Sequence, residues 1–266
     1  MRRAISGVIY GLSAAIGVLT FAYPFLLQAD RAAQERIAPL ATAALVGLSL
    51  VALLMELQGQ AISAKTVAML GVLVAVTSVL RFLDVAFPLP GGFSPIFAPI
   101  ILVGYVFGAR FGFLMGAFTL LASALITGGV GPWLPYQMFT AGWVGMTAGW
   151  LARLQPLTSN LQSWKLEVGG WRVGLLAGFG FAWGLLYGAI LNLYFWPLAV
   201  GMGGQGWEAG LGLRETLVRY AAFYVATSLG WDLAGAVGNA ALILLLGAPT
   251  MRALTRFQRR FHFQML

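Results

Sequence analysis

An ionisable side chain inside a long apolar stretch costs free energy, so Arg81, Asp84, Arg219 and Asp232 are the first residues to weigh as carriers of chemistry. Arg81 and Asp84 are three residues apart, which puts both on one face of a helix, either as a structural ion pair or facing a ligand. Arg219 has two readings as well: snorkelling to an interface or meeting a polar ligand group. Asp232 falls about 15 residues into the last apolar stretch, roughly 22 Å from its start by helical rise. That depth favours a hydrogen bond to a neighbouring helix over substrate contact. Two amides, Gln137 and Asn192, also lie within apolar runs, where an unpaired polar group is costly. Phe93, Trp133, Tyr136, Tyr194, Trp196, Tyr220 and Tyr224 gather around them. Aromatic walls with a few polar groups suit a pocket for a flat organic ligand. The competing reading is the aromatic belt common to multispan proteins.

Reaction chemistry is not written into the chain. It has no cysteine, and its one histidine, His262, lies in the basic tail, so thiolates, Cys-ligated metals and His-based triads are excluded. The Gly-rich stretch Gly128–Trp133 has no Lys-Ser/Thr after it and is no phosphate-binding loop. HExxH and GxSxG motifs are missing, and no span pairs two carboxylates one helical turn apart. The expectation is a protein that is not an enzyme, with no catalytic residue, no metal and no cofactor, and unable to hydrolyse ATP itself.

The elements that position these residues follow from composition. Of 266 residues, 60% are apolar and 9% charged, too few polar groups to surface a soluble domain of this length. Continuous Leu-, Ala- and Gly-rich runs predict an all-α integral membrane fold of about eight spans, since each crossing takes about 20 apolar residues. The spans read as Ala4–Leu27, Ile37–Leu57, Lys65–Phe87, Ser94–Phe107, Phe111–Ile126, Tyr136–Leu154, Arg172–Pro197 and Leu217–Leu246. Residues 1–60 form two additional N-terminal helices, residues 61–248 a six-helix core, and residues 249–266 a basic amphipathic tail. In that tail Met251, Leu254 and Phe257 share a face among arginines, as on a helix lying on an anionic leaflet.

Lys and Arg concentrate at Arg2, Arg3, Lys65, Arg110, Arg153, Lys165, Arg172, Arg252, Arg256, Arg259 and Arg260, against Arg31, Arg36, Arg81, Arg214 and Arg219 at the opposite ends. The bias places both termini in the cytoplasm of a multi-pass cell (inner) membrane protein. It also explains the net charge of +8 without nucleic acid. On the outer side, Val85–Pro95 and Gly128–Pro135 are rich in Pro, Gly and aromatics. Such irregular backbone must cover protein or line a cavity. The Gln155–Gly170 loop is polar. Small residues recur four apart at Gly112/Gly116, Gly180/Gly184/Gly188 and Gly71/Ala75, spacing that lets helices approach closely. For the first two sets packing within the chain is favoured.

Residues from Lys65 to about Gly247 resemble the substrate-specific S component of energy-coupling factor (ECF) vitamin transporters. The resemblance rests on Phe93-Ser94-Pro95-Ile96-Phe97-Ala98-Pro99, on Gly108-Ala109-Arg110-Phe111-Gly112, and above all on Gly131-Pro132-Trp133-Leu134-Pro135-Tyr136-Gln137-Met138 with Ala141-Gly142-Trp143-Val144-Gly145. Ala226-Thr227-Ser228-Leu229-Gly230-Trp231-Asp232 adds to it. It implies a subunit that captures a vitamin-like small molecule from outside and topples on a membrane T component driven by two ATPase subunits. The form is most similar to the corrinoid (cobalamin-type) uptake subunits. It further implies a closing loop at Val85–Pro95 and docking on the T component through Ala68, Gly71 and Ala75. Expected substrate contacts are Arg81, Phe93, Trp133, Tyr136, Gln137, Asn192, Trp196 and Tyr220. Partners are then the T component, the ATPases, the vitamin and membrane lipid. Two other classes stay open: a polytopic enzyme acting on a lipid or isoprenoid, and a ligand-free structural membrane protein.

Overall fold

A computed structural model describes residues 64–154 and 170–260, apart from residues 89, 90, 92, 132, 200, 201 and 209, together with Ala15, Gly17, Val18, Leu19 and Phe21. The second N-terminal span, most of the first, residues 155–169 of the polar loop and the tail beyond Arg260, including His262, lie outside the described residues. The described elements are α1 (Ala64–Ala86), α2 (Phe97–Phe107), α3 (Ala109–Thr127), α4 (Leu134–Leu154), α5 (Trp171–Phe195), α6 (Leu213–Thr227) and α7 (Leu229–Arg260). Two 3-10 turns, Trp196–Leu198 and Gly203–Gln205, join α5 to α6. The fold is all-helical and built for a membrane, with no strand among the described residues. Val67–Ala86, Ala109–Thr127, Trp171–Leu198 and Leu229–Arg259 are long and apolar enough to cross one, and α2 is a shorter apolar helix.

The spans expected over α1 to α5 agree with these helices to within a few residues at each end. α2 and α3 turn on Gly108 alone, whose φ of 96° is one that a side chain would oppose, and its N–H caps the Gly104 carbonyl. The two helices then sandwich α4 by glycine. A methyl group on Gly112 or Gly104 would run into the Gly145 carbonyl, one on Gly116 into Ala141, and one on Gly149 into Ala109. α4 is accordingly well enclosed, buried from Leu134 to Gly149 along most of its length. Gly180, Gly184 and Gly188 of α5 receive Ile243, Ala236 and Asp232 of α7 in the same manner. Both glycine sets therefore pack within the chain, as their spacing suggested. Gly112→Leu is expected to cost at least about 1–3 kcal/mol by overpacking against backbone that cannot yield. A sharp fall in melting temperature or folded yield in detergent checks it.

α1 behaves differently. Leu70, Val74, Thr77, Ser78 and Asp84 are buried, with the Ser78 hydroxyl donating to Thr119 O of α3 at 3.4 Å. Its other face is exposed at Ala68, Gly71, Val72, Ala75, Val76 and Val79, and a methyl on Gly71 would meet nothing within 4 Å among the described residues.

The last span departs from expectation. One helix was predicted over Leu217–Leu246, but the chain breaks at Ser228 (φ −135°, ψ −29°) into α6 and α7. α7 then runs 32 residues, through Pro249 to Arg260, so residues 249–260 prolong it. At 1.5 Å per residue it is about 48 Å long, well beyond a hydrocarbon core of about 30 Å. Met251 and Leu254 are buried, Phe257 is exposed, and the Gln258 amide donates to Val106 O at 2.9 Å. The apolar stripe read as leaflet-facing thus packs largely on protein, where the end of α2 offers it a carbonyl acceptor. At the other end of the chain, Phe21 packs edge-on to Tyr136 of α4 with ring centroids 4.9 Å apart.

Candidate functional site

α1 ends where Phe87-Pro88 stops the helical pattern, and the chain turns back over the bundle toward α2. Arg81, one turn before that end, holds the turn in place. Its Nη1 donates to Asp84 Oδ2 at 2.6 Å and to Ser94 Oγ at 3.1 Å. Asp84 and Ser94 are both buried, so the carboxylate has its counter-charge and the loop has an anchor. Farther along the loop, Gly91 (φ 69°) rests on Ala234 and the Phe93 ring covers Gly238, both on α7. No larger residue fits under Phe93. The charge of Arg81 also reaches the Tyr187 phenol of α5, whose ring stacks at a tilt on Phe97, 4.5 Å between centroids. Ser94, bonded to Arg81, and Phe93, set on α7, are thus neighbours in one loop.

A second group forms where α5, α6 and α7 meet. The Asn192 amide donates to Ser228 Oγ at 2.6 Å, tying the end of α5 to the break between α6 and α7. Trp196 is fully buried, its indole N–H donating to Gln205 O at 2.8 Å, its ring 5.0 Å from Tyr220 and 6.4 Å from Phe223. The Tyr220 hydroxyl donates to Ala189 O, and the Tyr224 hydroxyl to Leu185 O at 3.3 Å. Arg219 is held by Glu208 at 3.2 Å and Glu215 at 2.7 Å, an ion-pair cluster at the start of α6. Asp232 lies in the first turn of α7, one turn from Ser228 and pressed against Gly188. It is not deep in a continuous helix, because the break at Ser228 restarts the count.

Tyr136 is buried with its ring 4.4 Å from Tyr194, so two α5 tyrosines spaced seven residues apart, Tyr187 and Tyr194, each meet an aromatic partner from another helix. Gln137 is half-buried on the following position of α4. Trp133 is not gathered with the others: it is exposed, and its indole N–H turns back on its own loop to Gly129 O at 3.3 Å. Ser94, Phe97, Tyr187 and Ser228 were missed as site-forming residues. The seven-residue spacing of Tyr187 and Tyr194, two turns on one helix face, was the available signal for one of them.

Among the described residues no three His, Cys, Asp or Glu side chains converge on a possible metal position. The arrangement offers aromatic surface and hydrogen-bonding groups. Residues 65–253, well over half of the chain, match the family model of the ECF transporter, substrate-specific component. No curated protein and no solved structure gives a match.

Proposed function

Because the chain belongs to the family of ECF transporter substrate-specific components, we propose that it captures a vitamin or related micronutrient from outside the cell and delivers it inward by toppling on a T component energised by two ATPase subunits. Membership in the family makes it a substrate-specific, multi-pass membrane subunit that works with a T component and ATPases. Vitamin-class cargo, with a corrinoid first among the candidates, is the finer reading, and so are the inner membrane and cytoplasmic termini. The cargo rests on the sequence resemblance, the orientation on the Lys and Arg bias.

The observation that carries the proposal is the seating of the α1–α2 loop. One guanidinium ties it to α1, and one phenylalanine lays it on α7. A loop that folds back onto the bundle through these side-chain contacts is placed to cover a bound molecule, which an uptake subunit requires and a ligand-free scaffold does not. Reconstituted in vesicles with a T component and its ATPases, the protein is expected to support ATP-dependent uptake of cobinamide, used as a corrinoid probe. Concentrative uptake by this chain alone, driven by an ion gradient, would overturn the assignment.

A further inference from the structure

Asp232 is the acidic residue in a spanning helix whose charge the described structure does not balance. Asp84 has Arg81, while Glu208 and Glu215 share Arg219. Asp232 Oδ2 is buried and has no hydrogen-bond partner among the described residues. The other donors nearest to it have partners of their own. The Tyr220 hydroxyl goes to Ala189 O, and that of Tyr224 is shared between Leu185 O at 3.3 Å and the Asp232 carboxylate. The side-chain amide of Asn192, on the adjoining turn, is spent on Ser228. On α5 the facing position is Gly188, where any side chain would occupy the carboxylate's own place. The site is thus an acid with room made for it by a glycine, walled by two phenols, and one acceptor oxygen short of a donor.

A carboxylate held this way loses hydration that the Tyr224 hydroxyl returns only in part among the described residues, since Oδ2 is left without a donor. From this we infer that Asp232 receives an N–H group of the transported molecule, so that the cargo carries an ammonium or amide nitrogen which docks between α5, α6 and the first turn of α7. The inference rests on the substrate-binding reading above and narrows its cargo. An N–H donor completes Oδ2 directly, and Tyr220 and Tyr224 flank the donor with ring surface that favours a cationic or polarised N–H group. Asn239, two turns further along α7, also has a buried oxygen without a donor. It is sealed off by the contact of Ala236 with Gly184 and belongs to helix packing.

Three probes separate the possibilities by calorimetry on the full chain in detergent: cobinamide with neutral amides, pyridoxamine with an ammonium group, and lipoate with a carboxylate and no nitrogen. Wild type is expected to bind at least one nitrogen-bearing probe and to discriminate against lipoate. Asp232→Asn, nearly isosteric, should weaken that binding by about tenfold or more while its melting temperature stays near wild type. Asp232→Ala should weaken it equally, and a preference for pyridoxamine over cobinamide identifies the donor as charged. Unchanged affinity in Asp232→Asn, or tighter binding of lipoate than of both nitrogen-bearing probes, overturns the inference and leaves the substrate-binding reading standing. Failure of wild type to bind any of the three counts against both.

Discussion

Replacing Gly71 or Ala75 by Leu is expected to leave probe binding intact while weakening assembly with the T component by roughly 5- to 150-fold, the equivalent of about 1–3 kcal/mol of overpacking. The two residues lie one turn apart on the face of α1 that no described residue covers, whereas the opposite face, from Leu70 to Asp84, is buried in the bundle. In lipid, helices are held together by close backbone approach, and small residues permit it. Gly112 and Gly116 have that spacing too, but their partner is α4 of the same chain. A stripe of small residues that no described residue covers is where a partner helix can approach most closely. Melting temperature, pull-down of the T component and vesicle uptake, measured on one variant, separate the possibilities. If Gly71→Leu lowers the melting temperature and leaves assembly of the folded fraction unchanged, the stripe serves packing within the chain.

That contrast between Gly71 and Gly112 shows where sequence reading stops. Spacing announces that a helix face can be approached closely, but the identity of what approaches is a tertiary fact. The helices up to α5 are legible because their ends carry punctuation: Pro88, Gly91, Gly108 and Gly128 stop or turn the chain, and Pro135 falls in the first turn of α4. The break at Ser228 has no such mark. Ala226-Thr227-Ser228-Leu229 reads as ordinary helix, and what accompanies the break is a hydrogen bond from Asn192, 36 residues away. Missing that bond displaced Asp232 from the first turn of a helix to the middle of one. The opposite error occurs at Pro249, a residue that argues for an end but is accommodated inside α7, as membrane helices allow when neighbours satisfy the freed carbonyls. For the site, Arg81, Asn192 and Tyr136 stood out as polar or amphipathic groups in apolar runs. Trp196 also stood out, yet the structure uses it to pin the α5–α6 connection through Gln205, with its ring buried. Composition marks which side chains are unusual in a span and says nothing about whether their hydrogen bonds are already taken.

Arg81→Ala carries the largest expected effect on the site itself. Asp84 is the more deeply buried of the pair, with 7% of its side chain exposed against 32% for Arg81. Removing the arginine leaves a buried carboxylate without its counter-charge, a loss of about 3–5 kcal/mol in such settings. It also removes the bond to Ser94 that fixes the start of α2 to the end of α1. Both bonds use Nη1, so the guanidinium has further donors to offer a bound molecule. Two consequences are therefore separable. The double variant Arg81→Ala/Asp84→Ala removes the stranded charge and should recover most of the lost stability. It cannot restore the Ser94 anchor or the remaining donors, so cobinamide affinity should stay at least about tenfold below wild type. Arg81→Lys keeps the charge near Asp84 but not the planar fork that reaches two acceptors at once, and should fall between. Thermal melts and calorimetry on the three variants test the scheme. Recovery of both stability and affinity in the double variant would mean that the ion pair supports the fold alone and that the α1–α2 loop is positioned by Phe93 on Gly238.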